Sequence, residues 1–209
     1  QIDFAGRRVV FSGDLGRYDD PVMHAPEAVP EADVVVIEST YGNRLHDRSD
    51  PIDALGQVIE RTVRRGGTVV IPAFAVGRAQ ALIHALWKLR LAGRLDSVPV
   101  YLDSPMAIDA TRLYHAHRDE HRLSPEECEG MCHAAKIVNK VEESKALSAG
   151  RGPMVIISAS GMATGGRVVH HLKSFAPDHR NTILFAGYQA GGTRGAAIVH
   201  GASTVRIHG

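Results

Sequence analysis

Only two cysteines occur in the 209 residues, Cys128 and Cys132. Four positions apart in a predicted helix, they are badly placed for a structural disulfide, and such sparse use fits a reducing cytoplasm. No apolar run approaches the roughly 20 residues of a membrane span, and no signal peptide or lipidation motif is present, so no membrane partner is expected. An excess of charge is also missing: 24 Lys and Arg meet 23 Asp and Glu. The net charge of +1 does not by itself point to nucleic acid, although local segregation is compatible with it. A P-loop and a G-x-G-x-x-G fingerprint are both absent, which counts against a doubly wound mononucleotide-binding enzyme.

What is there is an ordinary globular balance, with 44% hydrophobic and 22% charged residues. The length allows one sizeable core and at most two domains. Residues 2–4, the Ala5-Gly6 turn and residues 8–11 read as a hairpin. An isolated hairpin is marginal in water, so a chain that opens on one is expected to be a piece of a larger protein. Residues 16–30 read as irregular, and 34–37 as a strand. From residue 50 onward strands and helices alternate. Asp50-Pro51 opens a helix carrying Ile52, Leu55, Ile59 and Val63 on one stripe. Strands are expected at 68–71, 98–102, 154–157, 181–185 and 204–207, with helices between them. That alternation predicts an α/β fold with a mostly parallel sheet and helices on both faces. The polar run 43–50 marks a boundary, giving a first unit over residues 1–45 and a second over 46–209.

Two apolar runs end in a carboxylate next to turn residues. Val9, Val10 and Phe11 lead into Asp14, and residues 34–37 lead into Glu38. Buried strands that hand an acid to a glycine-rich turn are how α/β enzymes place metal ligands and acids. Taken singly, Asp14 reads as an Asx-turn residue and Glu38 as a surface acid. Small-residue turns at 73–78 and 158–166 precede helices, and their backbone N–H groups suit phosphate; a tight turn is the plainer reading of each. Ser160, Gly161, Gly165 and Gly166, with Arg78 and Arg167, are the candidate phosphate contacts. His115, His117 and His121 resemble a metal cluster, but the expectation is a solvated helix end with His117 and His121 on one face. Cys128, Cys132 and His133 lack a fourth ligand, so buried small residues are expected instead of zinc. Of His170 and His171, one is expected to face the core and the other solvent.

Five segments taken together resemble the β-CASP group of the metallo-β-lactamase superfamily, nucleases that process RNA. They are SGDLG at 12–16, ESTYG at 38–42, PAFAVGRAQ at 72–80, LDSPMA at 102–107, and ASGM at 159–162 running on to AGYQAGGT at 186–193. The resemblance implies a Rossmann-like β-CASP domain beside a remnant of an αββα lactamase sandwich. It implies a site with two zinc ions, bridged by Asp14, where Glu38 orients a histidine that protonates the leaving oxygen. Such ions lower the pKa of a bound water and neutralise charge on phosphorus. The implied substrate is single-stranded RNA.

The same resemblance places an H-x-H-x-D-H segment before residue 1 and two histidine motifs after the last strand, and neither is in this sequence. His208 is not assigned as a zinc ligand. One aspartate cannot hold a zinc pair, so the chain alone is expected neither to retain zinc nor to cleave RNA. A non-catalytic RNA-binding or scaffolding module is the second expectation, and a DNA substrate is compatible with the same residues. Homodimerisation through exposed sheet edges is a further one.

Overall fold

The structure is a computed structural model that describes residues 1–29 and 31–207, so Pro30 and the expectation at His208 lie outside the described residues. The opening hairpin is present: β1 (Ile2–Phe4) pairs antiparallel with β2 (Arg7–Phe11). Ala5 and Gly6 both take positive φ, 49° and 74°, as a two-residue hairpin turn requires. Next to β2 lies β3 (Val34–Val36), parallel to it with Val10 opposite Val35. Val34 to Val36 are exposed, as are Ile2, Phe4 and Phe11, so this three-stranded sheet buries little on its own.

The larger part is a five-stranded, wholly parallel sheet. Its strands are β4 (Thr68–Pro72), β5 (Val100–Asp103), β6 (Lys136–Ile137), β7 (Met154–Ser158) and β8 (Thr182–Ile183), in the order β6-β5-β7-β4-β8. The central strands β4 and β7 are buried along their whole length, as near-continuous apolar runs in a two-sided sheet should be. Residues alternate between two cores. Val69, Ile71, Val155 and Ile157 face α1 (Pro51–Arg64), α2 (Arg78–Leu91), α3 (Pro105–Ala116) and α4 (Pro125–His133). Val70, Met154 and Ile156 face α6 (Val168–Phe175), with Leu147 of α5 (Val141–Ala149) packed alongside. Helices therefore cover both faces. Each fully buried aliphatic chain, such as Ile59 or Leu86, contributes about 1.5–3 kcal/mol of transfer free energy.

The helix ends follow the sequence. Asp50 accepts from Ile52 N at 2.8 Å, with Pro51 in the first turn of α1. Ser124 and Glu127 form a reciprocal capping box at α4, Glu127 N to Ser124 Oγ at 3.1 Å and Ser124 N to Glu127 Oε2 at 3.0 Å. A short α7 (Arg194–Val199) follows the glycine-rich loop, capped by Thr193. The irregular segment after β2 is anchored to the larger part: Val22 is buried in the first core, and its carbonyl accepts from Arg122 N at 2.9 Å.

Three expectations are corrected. The strand at 181–185 shrinks to two residues, because β8 is an edge strand with β4 as its single neighbour. Residues 204–207 form no strand; Arg206 offers its carbonyl to Arg194 Nε at 2.8 Å instead of to a sheet. The helix expected from about 106 to 117, with His117 and His121 on one face, does not run on through His121. It ends at Ala116, His117 leaves helical geometry at φ −115° and ψ 59°, and a 3-10 turn covers Arg118–Glu120. The break turns His121 inward, where it is buried, stacked on Tyr114 and bonded to the Tyr114 carbonyl at 3.0 Å.

Candidate active site

Parallel pairing of β2 and β3 puts both acid-bearing turns at one sheet edge. Ser12 N donates to Val36 O at 2.9 Å, and Ser12 Oγ accepts from Glu38 N at 3.0 Å. Glu38 then reaches across. Its Oε2 accepts from Thr40 N at 2.8 Å and its Oε1 from Leu15 N, the residue after Asp14, at 3.4 Å. The backbone N–H and the hydroxyl of Thr40 hold the Glu38 carboxyl below the usual carboxylate range. Asp14 itself is exposed. The structure thus brings together Asp14 and Glu38, which lie 24 positions apart in sequence.

The candidate phosphate residues lie at the carboxyl ends of β4 and β7. Gly165, Gly166 and Arg167 line a hollow of about 390 Å³ with Thr164, His170 and Arg194. Ser160 is turned inward on its own loop, its Oγ accepting from Thr164 N at 3.2 Å and Gly165 N at 3.4 Å. Gly161 is buried against Phe74, and a Cβ there would meet the Phe74 backbone N at 2.8 Å. Gly166 sits at φ +73°, and a Cβ on it would lie 2.5 Å from Ala159 O, so the turn needs glycine whatever it binds. Arg78 is exposed at the start of α2, beside Gly187 of the neighbouring loop and outside that hollow. Arg167 is tied inward. Its Nη1 pairs with Asp103 Oδ1 at 2.7 Å and its Nη2 donates to Asn139 O at 2.6 Å.

Sequence reasoning missed what Asp103 does. It is fully buried at the end of β5 and accepts from His171 Nε2 at 2.6 Å, Ser144 Oγ at 2.5 Å and Arg167. Burial pushes its carboxyl up, but the bonds from His171, Ser144 and Arg167 outweigh that and hold it below its usual value. Ser148 Oγ lies 2.9 Å from His171 Nδ1, which completes a Ser-His-Asp sequence of contacts. With His171 and Asp103 at zero exposure the network positions β5, α5 and α6, and reaches no substrate. The pair at 170 and 171 does divide as expected, His170 exposed and His171 in the core.

Aromatic rings at the same edge were also missed. Tyr41, three residues past Glu38, meets Tyr188 of the glycine-rich loop edge to face, with centroids 5.7 Å apart. Gln189 Nε2 donates to Gly161 O at 3.1 Å, linking that loop to the turn after β7. Phe74 stands 47% exposed beside them. The signal in the sequence was three aromatics, each inside a small-residue turn.

Among the described residues no group of three His, Cys, Asp or Glu gathers at Asp14; the one such group is His115, Cys128 and Cys132, elsewhere in the fold. Both oxygens of Glu38 are occupied by backbone N–H groups. The residues present therefore do not by themselves fit two zinc ions, and no reaction step is routed through them.

Residues 79–198 match the Beta-Casp domain family. The chain belongs to that family, the β-CASP group of the metallo-β-lactamase superfamily. It is similar to Ribonuclease TTHA0252 of Thermus thermophilus, 38% identical over 98% of this chain and 48% of the relative. It is also similar to Transcription termination factor FttA of Lokiarchaeum, 36% identical over 92% of this chain and 32% of the relative. Endoribonuclease ysh1 of Schizosaccharomyces pombe is 34% identical over 95% of this chain and 27% of the relative. The chain spans about half or less of the length of these relatives.

Proposed function

We propose that this chain is the β-CASP core of a nuclease that hydrolyses phosphodiester bonds of single-stranded RNA in RNA processing or decay. The observation that carries the reading is the Asp14–Glu38 edge, joined through Tyr41 and Tyr188 to the carboxyl ends of the parallel sheet. Open α/β sheets bind ligands at that end of their strands. Exposed aromatics stack bases without regard to sequence, and Arg78 offers a cation for the backbone. Asp14 is the metal ligand this chain contributes in the reading, with zinc as the metal, and Glu38 is the acid that orients a neighbouring group.

Because the zinc donor set is incomplete here, the chain alone is inactive and the longer polypeptide is the enzyme. Robust, chelator-sensitive cleavage of single-stranded RNA by the purified chain contradicts this. A second reading, a non-catalytic RNA-binding module, is favoured by the same sparse donor set. It predicts RNA binding and no cleavage even by the longer polypeptide. No helix among the described residues is long and apolar enough to cross a membrane. Cytoplasmic placement and a homodimer belong to the proposal, and the second is checked by sedimentation.

A further inference from the structure

The His115, Cys128 and Cys132 side chains converge. His115 is in the last turn of α3; Cys128 and Cys132 sit one turn apart on α4. Their ligand atoms all lie within 4.8 Å of one another, with Cys132 Sγ 3.8 Å from His115 Nδ1. Both thiols are free. His133 lies outside this group, 75% exposed and 3.4 Å from Glu129.

Two cysteines one helical turn apart have Cβ atoms about 5–6 Å apart, whereas a disulfide needs about 3.5–4.5 Å. The same separation suits a shared ion. Zn–S of about 2.3 Å and Zn–N of about 2.0 Å place the donors of a tetrahedral zinc roughly 3.5–3.8 Å from each other. His115 and Cys132 already span that edge.

Burial, then Cys128 and Glu129, push the Cys132 thiol up to about 11, so its proton leaves when an ion takes the sulfur. Arg118 Nη2 lies 3.0 Å from His115 Nε2 and 3.2 Å from Nδ1. Glu129 offsets the arginine, 3.7 Å from it and 3.9 Å from His115. Two thiolates balance a divalent cation. His121 is not the fourth ligand: its Nδ1 accepts from Leu123 N at 3.3 Å, so its Nε2 carries the proton and donates to Tyr114 O. A cavity of about 380 Å³ is lined in part by His115, Cys132, Glu129 and His133.

We infer that His115, Cys128 and Cys132 bind one soft divalent ion of the zinc class, with water from the cavity as fourth ligand, separately from Asp14 and Glu38. Binding displaces two thiol protons to solution, leaves both sulfurs as thiolates and ties the end of α3 to α4. The inference goes beyond the nuclease reading and stands whether or not that reading holds.

The test is titration of the metal-stripped chain with Co²⁺ and then Zn²⁺. The expected result is thiolate-to-cobalt charge-transfer absorption that saturates at one equivalent and is abolished by Zn²⁺. Zn²⁺ also raises the thermal unfolding temperature. Cys132→Ser loses the absorption, and His115→Ala weakens binding by at least about tenfold. Asp14→Asn leaves the absorption unchanged, since no carboxylate site produces it. Circular dichroism of each variant separates loss of metal from loss of fold. Cys132 is half-buried, so its serine variant is the milder probe if Cys128→Ser fails to fold. A folded wild-type chain with no thiolate–cobalt absorption, or absorption that survives in Cys132→Ser, overturns the inference.

Discussion

Tyr41 and Tyr188 meet edge to face with ring centroids 5.7 Å apart, although 147 positions separate them in sequence. Their contact joins the turn after Glu38 to the glycine-rich loop at the rim of the parallel sheet. An aromatic pair of this geometry contributes roughly 0.5–1.5 kcal/mol beyond its buried area. Tyr188 keeps enough exposure to stack a base as well. Tyr188→Ala is therefore expected to weaken single-stranded RNA binding by about 1–3 kcal/mol, with Tyr188→Phe close to wild type. Fluorescence anisotropy with a labelled oligoribonucleotide measures both, and an unchanged affinity for Tyr188→Ala rules out the stacking role.

Arg78 is expected to act through charge. Arg78→Ala should weaken RNA binding at low salt and reduce the slope of log affinity against log salt by about 0.7, the value for one single-strand phosphate contact. Arg167→Ala should instead lower stability, because its guanidinium is tied to Asp103 and the 138–139 carbonyls. Equal salt slopes for wild type and Arg78→Ala contradict the first expectation.

Asp103 holds three donors in a site without solvent. Asp103→Ala leaves the fully buried His171 imidazole and the part-buried Arg167 guanidinium without their carboxylate, and is expected to cost roughly 3–5 kcal/mol. Denaturant unfolding measures it. A loss below about 1 kcal/mol contradicts the assignment of this network as the support of β5, α5 and α6.

Acid is expected to destabilise the fold in two windows. His84 is buried, and among the described residues neither ring nitrogen is hydrogen-bonded; burial pushes its pKa down more than Glu127, 3.8 Å from Nε2, raises it. The unfolded chain then binds a proton that the folded chain resists, so stability falls as pH drops below about 6.5. Glu127 is held down to about 2 by Lys88 Nζ at 2.6 Å and by the Ser124 backbone N–H. Its depressed carboxyl contributes stability that is complete above about 4.5 and lost as pH falls towards 2. His84→Leu should flatten the upper window and Glu127→Gln the lower one in urea unfolding series. Profiles that match wild type count against each cause.

Most of the parallel sheet was legible because its elements are long and marked. Asp50-Pro51, the Ser124–Glu127 box and the apolar runs of β4 and β7 each state their own geometry locally. The neighbouring placement of the Asp14 and Glu38 turns was legible for the same reason, each following an apolar run. The rest depends on contacts between distant residues. The break after Ala116 is set by where His121 buries itself, against Tyr114. Arg167 reads as a phosphate ligand beside its glycines, until Asp103, 64 positions away, takes its guanidinium. With His133 beside them in sequence the cysteines read as inert; the imidazole that meets them comes from α3.

The most direct test of the central claim uses the complete polypeptide that carries this segment, assayed for cleavage of single-stranded RNA. Wild type is compared with Asp14→Asn and Glu38→Gln, and RNA binding is measured in parallel. The account predicts that each substitution lowers cleavage by at least roughly a hundredfold while RNA binding persists. Wild-type cleavage by either variant contradicts it.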